Sequence, residues 1–297
     1  MELTSINKIS LHTKKKPSGS VKAIYTERAD HNEERGRWET GPRRPEEKIT
    51  LNRQGKIVEF INYFQGSFWR KYTNRFDSSG NLIEADTFHA DDSIEYRTFY
   101  SYDLPGRRSR FVIHKADGSI LESWNYIYDI TGDLAEIIVS NPAGSIKKIN
   151  VYSREGIMTQ KTVEYNSENS IKRSSVEIHD FNRRTFERSN YAADGSLDCK
   201  SISSYDTDGK ETVRYDYVVH GTLDRKLVWA YDPTGNIIKV MKYSARGQLK
   251  EECSYIYDFD EVGNWIKKGM QMLILGSEPP QYRLGPVIYR TFTYWPE

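Results

Sequence analysis

Cysteine is scarce in this sequence, and its few thiols are poorly placed for cysteine chemistry. Cys199 and Cys253 are the only two, and neither belongs to a CxxC pair or a cluster of ligands. A redox pair or a zinc site needs several ligands at short spacing, so neither site is expected. We interpret both residues as small, partly buried thiols, with a disulfide between them as the alternative.

The sequence also lacks an excess of charge and any long apolar segment. Lys and Arg number 43 against 42 Asp and Glu, so nothing would draw a polyanion to the chain as a whole. No nucleic-acid partner is therefore expected. No run approaches the ~20 apolar residues of a membrane-spanning helix, and no apolar signal-peptide segment follows the first residues. These absences predict a cytoplasmic protein with no membrane association.

Aromatic residues, by contrast, are abundant. They make up 13% of the chain and include 21 tyrosines. Rings and branched side chains fit well on a pleated surface, and a disordered chain would contain far fewer of them. The composition therefore predicts an all-β protein.

One motif, an aromatic residue followed by Asp-x-x-Gly, recurs about every 26 residues and indicates a repeat protein. Asp232-Pro233-Thr234-Gly235 suits a tight turn, because Asp caps the backbone, Pro fits the second position and Gly accepts a left-handed conformation. The turns of this first series end at Gly55, Gly80, Gly106, Gly132, Gly156, Arg183, Gly209, Gly235 and Gly263.

A second series of turns lies between the members of the first and reads Gly-Ser followed by an aliphatic residue. In two of its members Asp92 and Asn169 stand where the others have glycine. Asp and Asn are the residues that best tolerate a left-handed backbone after glycine. The pattern predicts a positive φ at this position of every repeat.

Two turns per repeat predict two antiparallel strands per repeat. About sixteen strands at ~4.8 Å each would make a flat sheet about 75 Å wide, and sheets of that size twist, curl or close. We predict an all-β, repetitive antiparallel β-meander curled into a coil, a partial shell or an open barrel. Its predicted parts are a polar N-terminal tail or irregular cap (1–48), the repeat domain (49–263) and a C-terminal capping hairpin (264–297).

Aromatic residues recur at one position of the repeat and would form a ladder when the repeats stack. Aliphatic residues after the second turns, such as Ile120 and Ile171, are predicted to share this packed face, opposite a mostly wet one. Packing explains the rings more simply than sugar or peptide binding does. The predicted structural ladder consists of Tyr102, Tyr128, Tyr152, Tyr205, Tyr231 and Phe259.

Sequence motifs for catalysis are missing. There is no GxSxG, P-loop, HExxH or GxGxxG motif, and capping explains the turn aspartates without calcium. We predict no catalytic residue, no metal and no cofactor, and we do not expect an enzyme. A hydrolase with its site in the terminal loops is the alternative from a different class.

The turn Tyr231-Asp232-Pro233-Thr234-Gly235-Asn236 resembles the turns of the bacterial RHS/YD-repeat family, and residues 259–265 are similar to the end of many short members. The resemblance covers residues 50–295. It implies a spiralling β-sheet, which in the large members forms a hollow shell around toxin domains. This chain resembles a short member without a toxin domain or the cleavage motif that precedes one.

These observations lead to the hypothesis of a non-catalytic binding or scaffolding module. A concave face, free sheet edges and terminal loops would engage a protein partner. Trp124 and Trp229 are the candidate partner-binding residues on the concave face. The alternatives are binding of a carbohydrate surface through the aromatic ladder, or a shell fragment of a toxin-associated system.

Overall fold

The structure is a computed structural model that describes residues 17–34, 37–144, 146–275 and 281–296. The predicted N-terminal tail therefore lies outside the described residues as far as residue 16. No helix in the described ranges is long and apolar enough to cross a membrane. The strands are β1 Val21–Ala29, β2 His31–Glu34, β3 Arg37–Thr40, β4 Arg44–Leu51, β5 Ile57–Phe64, β6 Ser67–Phe76, β7 Leu82–Phe88, β8 Ile94–Tyr102, β9 Arg108–Lys115, β10 Ile120–Tyr128, β11 Leu134–Ser140, β12 Ile146–Arg154, β13 Ile157–Tyr165, β14 Ile171–Asp180, β15 Thr185–Tyr191, β16 Leu197–Tyr205, β17 Glu211–Val218, β18 Thr222–Tyr231, β19 Ile237–Ser244, β20 Leu249–Phe259, β21 Trp265–Ile274, β22 Gln281–Leu284 and β23 Val287–Tyr294.

The sheet closes on itself as a 20-strand barrel. Strands β4 to β21 pair in sequence order, each antiparallel to the next, and β23 pairs with β21. Strand β1 completes the ring, because its Ile24 stands opposite both Ile49 of β4 and Phe292 of β23. Short β22 adds to β21 beside β23, and β2 and β3 form a separate hairpin.

Closure refines one prediction and overturns another. The all-β antiparallel meander is confirmed, but the structure is a closed barrel rather than a coil, a partial shell or an open barrel. The prediction of free sheet edges is wrong, since β1 pairs with both ends of the meander. The division of the chain at residues 48 and 263 stays a prediction.

The two series of turns lie at opposite ends of the barrel, because the strands alternate in direction. We call the end with the first series the Asp rim; its turns start at Asn52, Asp77, Asp103, Asp129, Asp206, Asp232 and Asp260. At Asp103 the carboxylate Oδ1 accepts the N–H of Arg107 at 2.7 Å, and Gly106 donates to the Asp103 carbonyl at 2.9 Å. The end with the second series, called the Gly-Ser rim, also carries the β2–β3 hairpin.

The second-series turns adopt the predicted left-handed backbone where glycine is replaced. Asp92 has φ 63° and Asn169 has φ 60°, close to the values of the glycines in the same series. In the degenerate first-series turn the positive φ of 53° belongs to Arg184, one residue after Arg183.

One side of the barrel wall, the shielded face, holds most of the buried residues. Direct cross-strand pairing places Ile24, Ile49, Phe60 and Tyr72 on this face. They belong to one apolar cluster with Val21 and Leu51, and a second, separate cluster consists of Ile137, Val139 and Ile149. Among the described residues no large side chain is completely buried.

The aliphatic residues after the second turns do not join this face as predicted. Ile120 is 40% exposed and Ile171 is 48% exposed. The reason is a register shift beside the turns, which lies between Ile120 and Glu122 in β10 and beside Ile171 in β14. A bulge of this kind interrupts the alternation of the two faces.

Candidate functional site

The shielded face divides into two halves of different chemistry, and the first is aromatic. Phe111 lies at its centre, with its ring centroid 5.5 Å from Tyr100 and 5.0 Å from Trp124 in a stacked arrangement. Trp124 and Tyr126 pack in turn against the cluster around Ile137. Alternating aromatic residues on β8, β9 and β10 produce this patch, because residues directly opposite each other share a face.

The second half of the shielded face is charged and runs from β12 to β20. Opposite charges alternate across neighbouring strands, so that each carboxylate meets a cation. Glu164 contacts both Lys147 Nζ at 3.4 Å and Arg173 Nε at 2.6 Å. The other pairs are Glu177 with Arg188, Asp216 with Arg225 and Lys242 with Glu251.

Glu211 is the most enclosed carboxylate of the charged half. It accepts two hydrogen bonds from the Arg214 guanidinium, at 2.9 and 3.0 Å, and a third from the Ser203 hydroxyl at 2.6 Å. Glu211 and Ser203 are both buried. Three donors on one carboxylate fix its position, so this group is a rigid part of the wall.

Tyrosines of the predicted ladder connect consecutive turns of the Asp rim. The hydroxyl of Tyr102 donates to the carbonyl of Leu82, at the start of the preceding hairpin's second strand, at 2.8 Å. The equivalent bonds run from Tyr128 to Arg108, from Tyr231 to Glu211 and from Tyr257 to Ile237. Each of these tyrosines therefore joins its own repeat to its neighbour.

The other predicted ladder residues lie in different settings. Tyr205 is half-buried, and its backbone N–H donates to Arg184 at 2.9 Å. Tyr152 is 61% exposed and stands opposite Thr159 in a hairpin without a register shift. Phe259 is 42% exposed, and the sequence analysis missed Tyr257, which makes the ladder contact instead. A constant step of about 26 residues from Tyr231 would have found it.

The two candidate tryptophans share the shielded face but are not brought together. Trp124 lies on β10 in the aromatic half, where its Nε1 donates to Glu122 at 2.8 Å. Trp229 lies on β18 in the charged half, opposite Val240, with the Arg214 guanidinium 5.4 Å from its ring centroid. Partner binding by the two tryptophans remains a prediction.

Metal ligands and paired thiols do not form a site in the described parts of the chain. No group of three or more His, Cys, Asp or Glu residues there could hold a metal ion. Both cysteines are free thiols; Cys253 is partly buried as predicted, whereas Cys199 is exposed.

Among known proteins, two solved structures are similar to this chain. The chain matches no protein-family model and no curated protein. It is similar to a porin-like protein from Bacteroides uniformis, with 12% identity, a TM-score of 0.36, and coverage of 93% of this chain and 98% of that one. It is also similar to a porin-like protein from Bacteroides vulgatus, with 11% identity, a TM-score of 0.37, and coverage of 95% and 100%.

The closed barrel corrects the functional predictions. The prediction of a module that binds or scaffolds a protein partner through free sheet edges is wrong, because closure uses both edges. The predictions of a cytoplasmic location and of no membrane association are contradicted with it. The prediction that the chain is not an enzyme stays a prediction.

Proposed function

We propose that this chain forms a water-filled pore for small polar solutes. The observation that supports the proposal is a closed ring of strands that buries only a small apolar core. The two apolar clusters are small and separate, and no large side chain in the described ranges is completely buried. A collapsed sandwich of two sheets would bury many large side chains between them.

The number of strands supports an open interior. Barrels of about eight strands fill their interior with side chains, whereas barrels of about 16 to 18 strands enclose an aqueous channel. Twenty strands spaced ~4.8 Å apart and tilted by about 40° enclose a ring roughly 40 Å across between opposite backbones. Side chains that extend a few ångströms inward leave such a ring open.

We assign the shielded face to the interior of the barrel. Side chains on the concave side of a curved wall converge and shield one another, whereas those on the convex side spread apart. The charged half then lines the pore with ion pairs of both signs, including those of Glu164 and Glu251. Such a lining suits water and polar solutes.

Membrane-spanning barrels have short turns at one end and longer loops at the other. Both rims of this barrel have tight turns, and the Gly-Ser rim also carries the β2–β3 hairpin. Charges on the opposite face are also paired: Lys239 contacts Glu252, and Lys200 contacts Glu187, each at 2.7 Å. Pairing lowers the cost of placing such groups near lipid.

Conductance measurements test the proposal with two adjacent residues of β20. Glu251 lies on the shielded face and binds Lys242 at 2.9 Å, and Glu252 lies on the opposite face and binds Lys239 at 2.7 Å. We expect the purified chain to produce discrete conductance steps in a planar lipid bilayer. In a salt gradient, Glu251→Gln should shift the reversal potential toward anion selectivity, because Lys242 loses its counter-charge in the pore.

Glu252→Gln is the matched control and should leave the reversal potential unchanged. A shift with Glu252→Gln alone would mean that the opposite face lines the pore. A chain that keeps its β-sheet circular dichroism but never conducts would overturn the proposal.

A further inference from the structure

A cavity of about 370 Å³ lies at the Asp rim, beside the place where β1 closes the ring. Its floor is apolar and comes from β1, β4 and the start of β5. Its mouth is formed by Pro17, Gly19, Ser20, the turn after β4, and Trp295. The volume falls within the range of about 300–1,000 Å³ that is usual for small-molecule sites. The apolar residues of the floor are Val21, Ile24, Ile49, Leu51 and Ile57.

Two cations contact the ring of Trp295, and one of them, Arg53, also lines the cavity. Lys22 Nζ lies 5.0 Å from the Trp295 ring centroid, and the Arg53 guanidinium lies 5.1 Å from it. Both cationic side chains are exposed, and neither forms an ion pair with a carboxylate of the described residues. Many Lys and Arg side chains elsewhere on the wall contact an acid, as Lys242 contacts Glu251, whereas the Trp295 ring holds two cations without such a partner.

The indole nitrogen of Trp295 adds a third unmet donor. It is shielded from solvent and has no acceptor in the described part of the chain. Shielded donors without an acceptor are uncommon, since each costs stability. The mouth of the cavity thus combines positive charge and a free donor above an apolar floor.

We infer that this cavity binds a single-chain carboxylate, an amphipathic anion with a linear apolar tail. The tail would lie on the floor around Ile24 and Ile49, and the carboxylate would accept hydrogen bonds at the mouth from Arg53, while Lys22 on the Trp295 ring adds positive charge nearby. An apolar ligand without charge would leave both cations unpaired, and a small anion without a tail would leave the floor empty. Both parts of the ligand are therefore required for affinity.

Calorimetric titration of the full chain tests this assignment with three probes: decanoate, decanol and acetate. Saturable one-to-one binding of decanoate is expected, with at least tenfold weaker binding of decanol and none of acetate. Arg53→Gln and Lys22→Gln should each weaken decanoate binding, and Arg53→Gln by about tenfold, as expected for one charge-assisted contact.

Arg246→Gln is the matched control, because Arg246 is an exposed turn arginine on the Gly-Ser rim. It should bind decanoate as the unchanged protein does, and all three variants should keep the same thermal transition. Equal affinity for decanol and decanoate, or unchanged affinity in both Arg53→Gln and Lys22→Gln, would overturn the assignment. The pore proposal stands or falls separately, since its test uses residues of β20.

Discussion

The hydroxyl of Tyr257 donates a hydrogen bond to the backbone carbonyl of Ile237 at 2.8 Å. Ile237 lies directly after the preceding turn, at the register shift between β18 and β19. The bond therefore ties one turn of the Asp rim to the next at the point where the strand ladder is irregular. Tyr231, Tyr128 and Tyr102 form the same bond in other repeats.

Removing this hydroxyl should destabilise the barrel measurably. We expect Tyr257→Phe to lower the free energy of unfolding by about 1 kcal/mol, the usual net contribution of one protein hydrogen bond. Chemical denaturation measures the change. Tyr152→Phe is the control, because Tyr152 is 61% exposed, and its effect should stay within about 0.5 kcal/mol. Equal losses in the two variants would show that the inter-turn bond adds nothing.

The seam of the barrel depends on Asn264. Its Nδ2 donates to the Ser18 carbonyl and to the Tyr294 hydroxyl, both at 3.0 Å, and its Oδ1 accepts the Ser18 N–H at 2.7 Å. We expect Asn264→Ala to speed amide hydrogen exchange in β1 and β23, because these strands lose their link to the last turn.

Asn236 provides the matched control for the seam. It occupies the same position one turn earlier and is similarly buried, but its Nδ2 contacts Asp232 and Thr234 within its own turn. Asn236→Ala should leave exchange in β1 and β23 unchanged. Faster exchange there in both variants would show that closure does not depend on Asn264 in particular.

A substitution in the two-residue turn between β12 and β13 should stabilise the protein. Glu155 has φ 51° and Gly156 has φ 79°, a pair of left-handed residues for which Asn-Gly is the preferred sequence. Glu155→Asn should raise the free energy of unfolding by up to about 1 kcal/mol. The lost ion pair with Arg154 is largely exposed and contributes little. Arg154→Asn, outside the left-handed pair, should give no gain in denaturation experiments.

Acid should weaken the Asp rim. The backbone N–H of Asn81 donates to Asp77 at 2.8 Å and is the main reason that the pKa of this carboxyl lies below its ordinary 3.8. The pKa is lower in the folded chain than in the unfolded one. The stabilisation is therefore complete above about pH 5 and is lost as the pH falls through the folded value.

Thermal unfolding as a function of pH checks this effect. The melting temperature should stay level above about pH 5 and fall below about pH 4. Asp77→Asn keeps an acceptor oxygen but cannot titrate, so its melting curve should fall less steeply in acid. A slope identical to that of the unchanged chain would show that Asp77 does not contribute to acid sensitivity.

The conformation of the turns could be predicted from the sequence, because it depends on local residues. Asp92 and Asn169 in place of glycine indicated a left-handed backbone, and both residues adopt it. The Asp-x-x-Gly pattern indicated capped turns, and Asp103 caps its turn in that way. Each of these conformations depends on about four consecutive residues, so the amino acids that specify it are adjacent in the chain.

The face of the sheet on which each residue lies could be predicted from the sequence only in part. Alternation predicted that Ile120 lies on the same packed face as the aromatic ladder, but a register shift between Ile120 and Glu122 turns Ile120 away from the shielded face. The charged half was also missed, since Glu164 and Arg173 become partners only when β13 and β14 pair. A bulge of one residue moves the residues beyond it to the opposite face of the sheet, and the hydrophobic pattern does not reveal it.

The sequence by itself determined the repeat, the two series of turns and the antiparallel meander, because each follows from short-range backbone preferences. Only the tertiary structure decided that the meander closes. Closure joins Ser18 to Asn264 and places Ile24 between Ile49 and Phe292, residues far apart in the chain. Such pairing depends on how twist and curvature accumulate over twenty strands, a property of the whole sheet that no single repeat encodes.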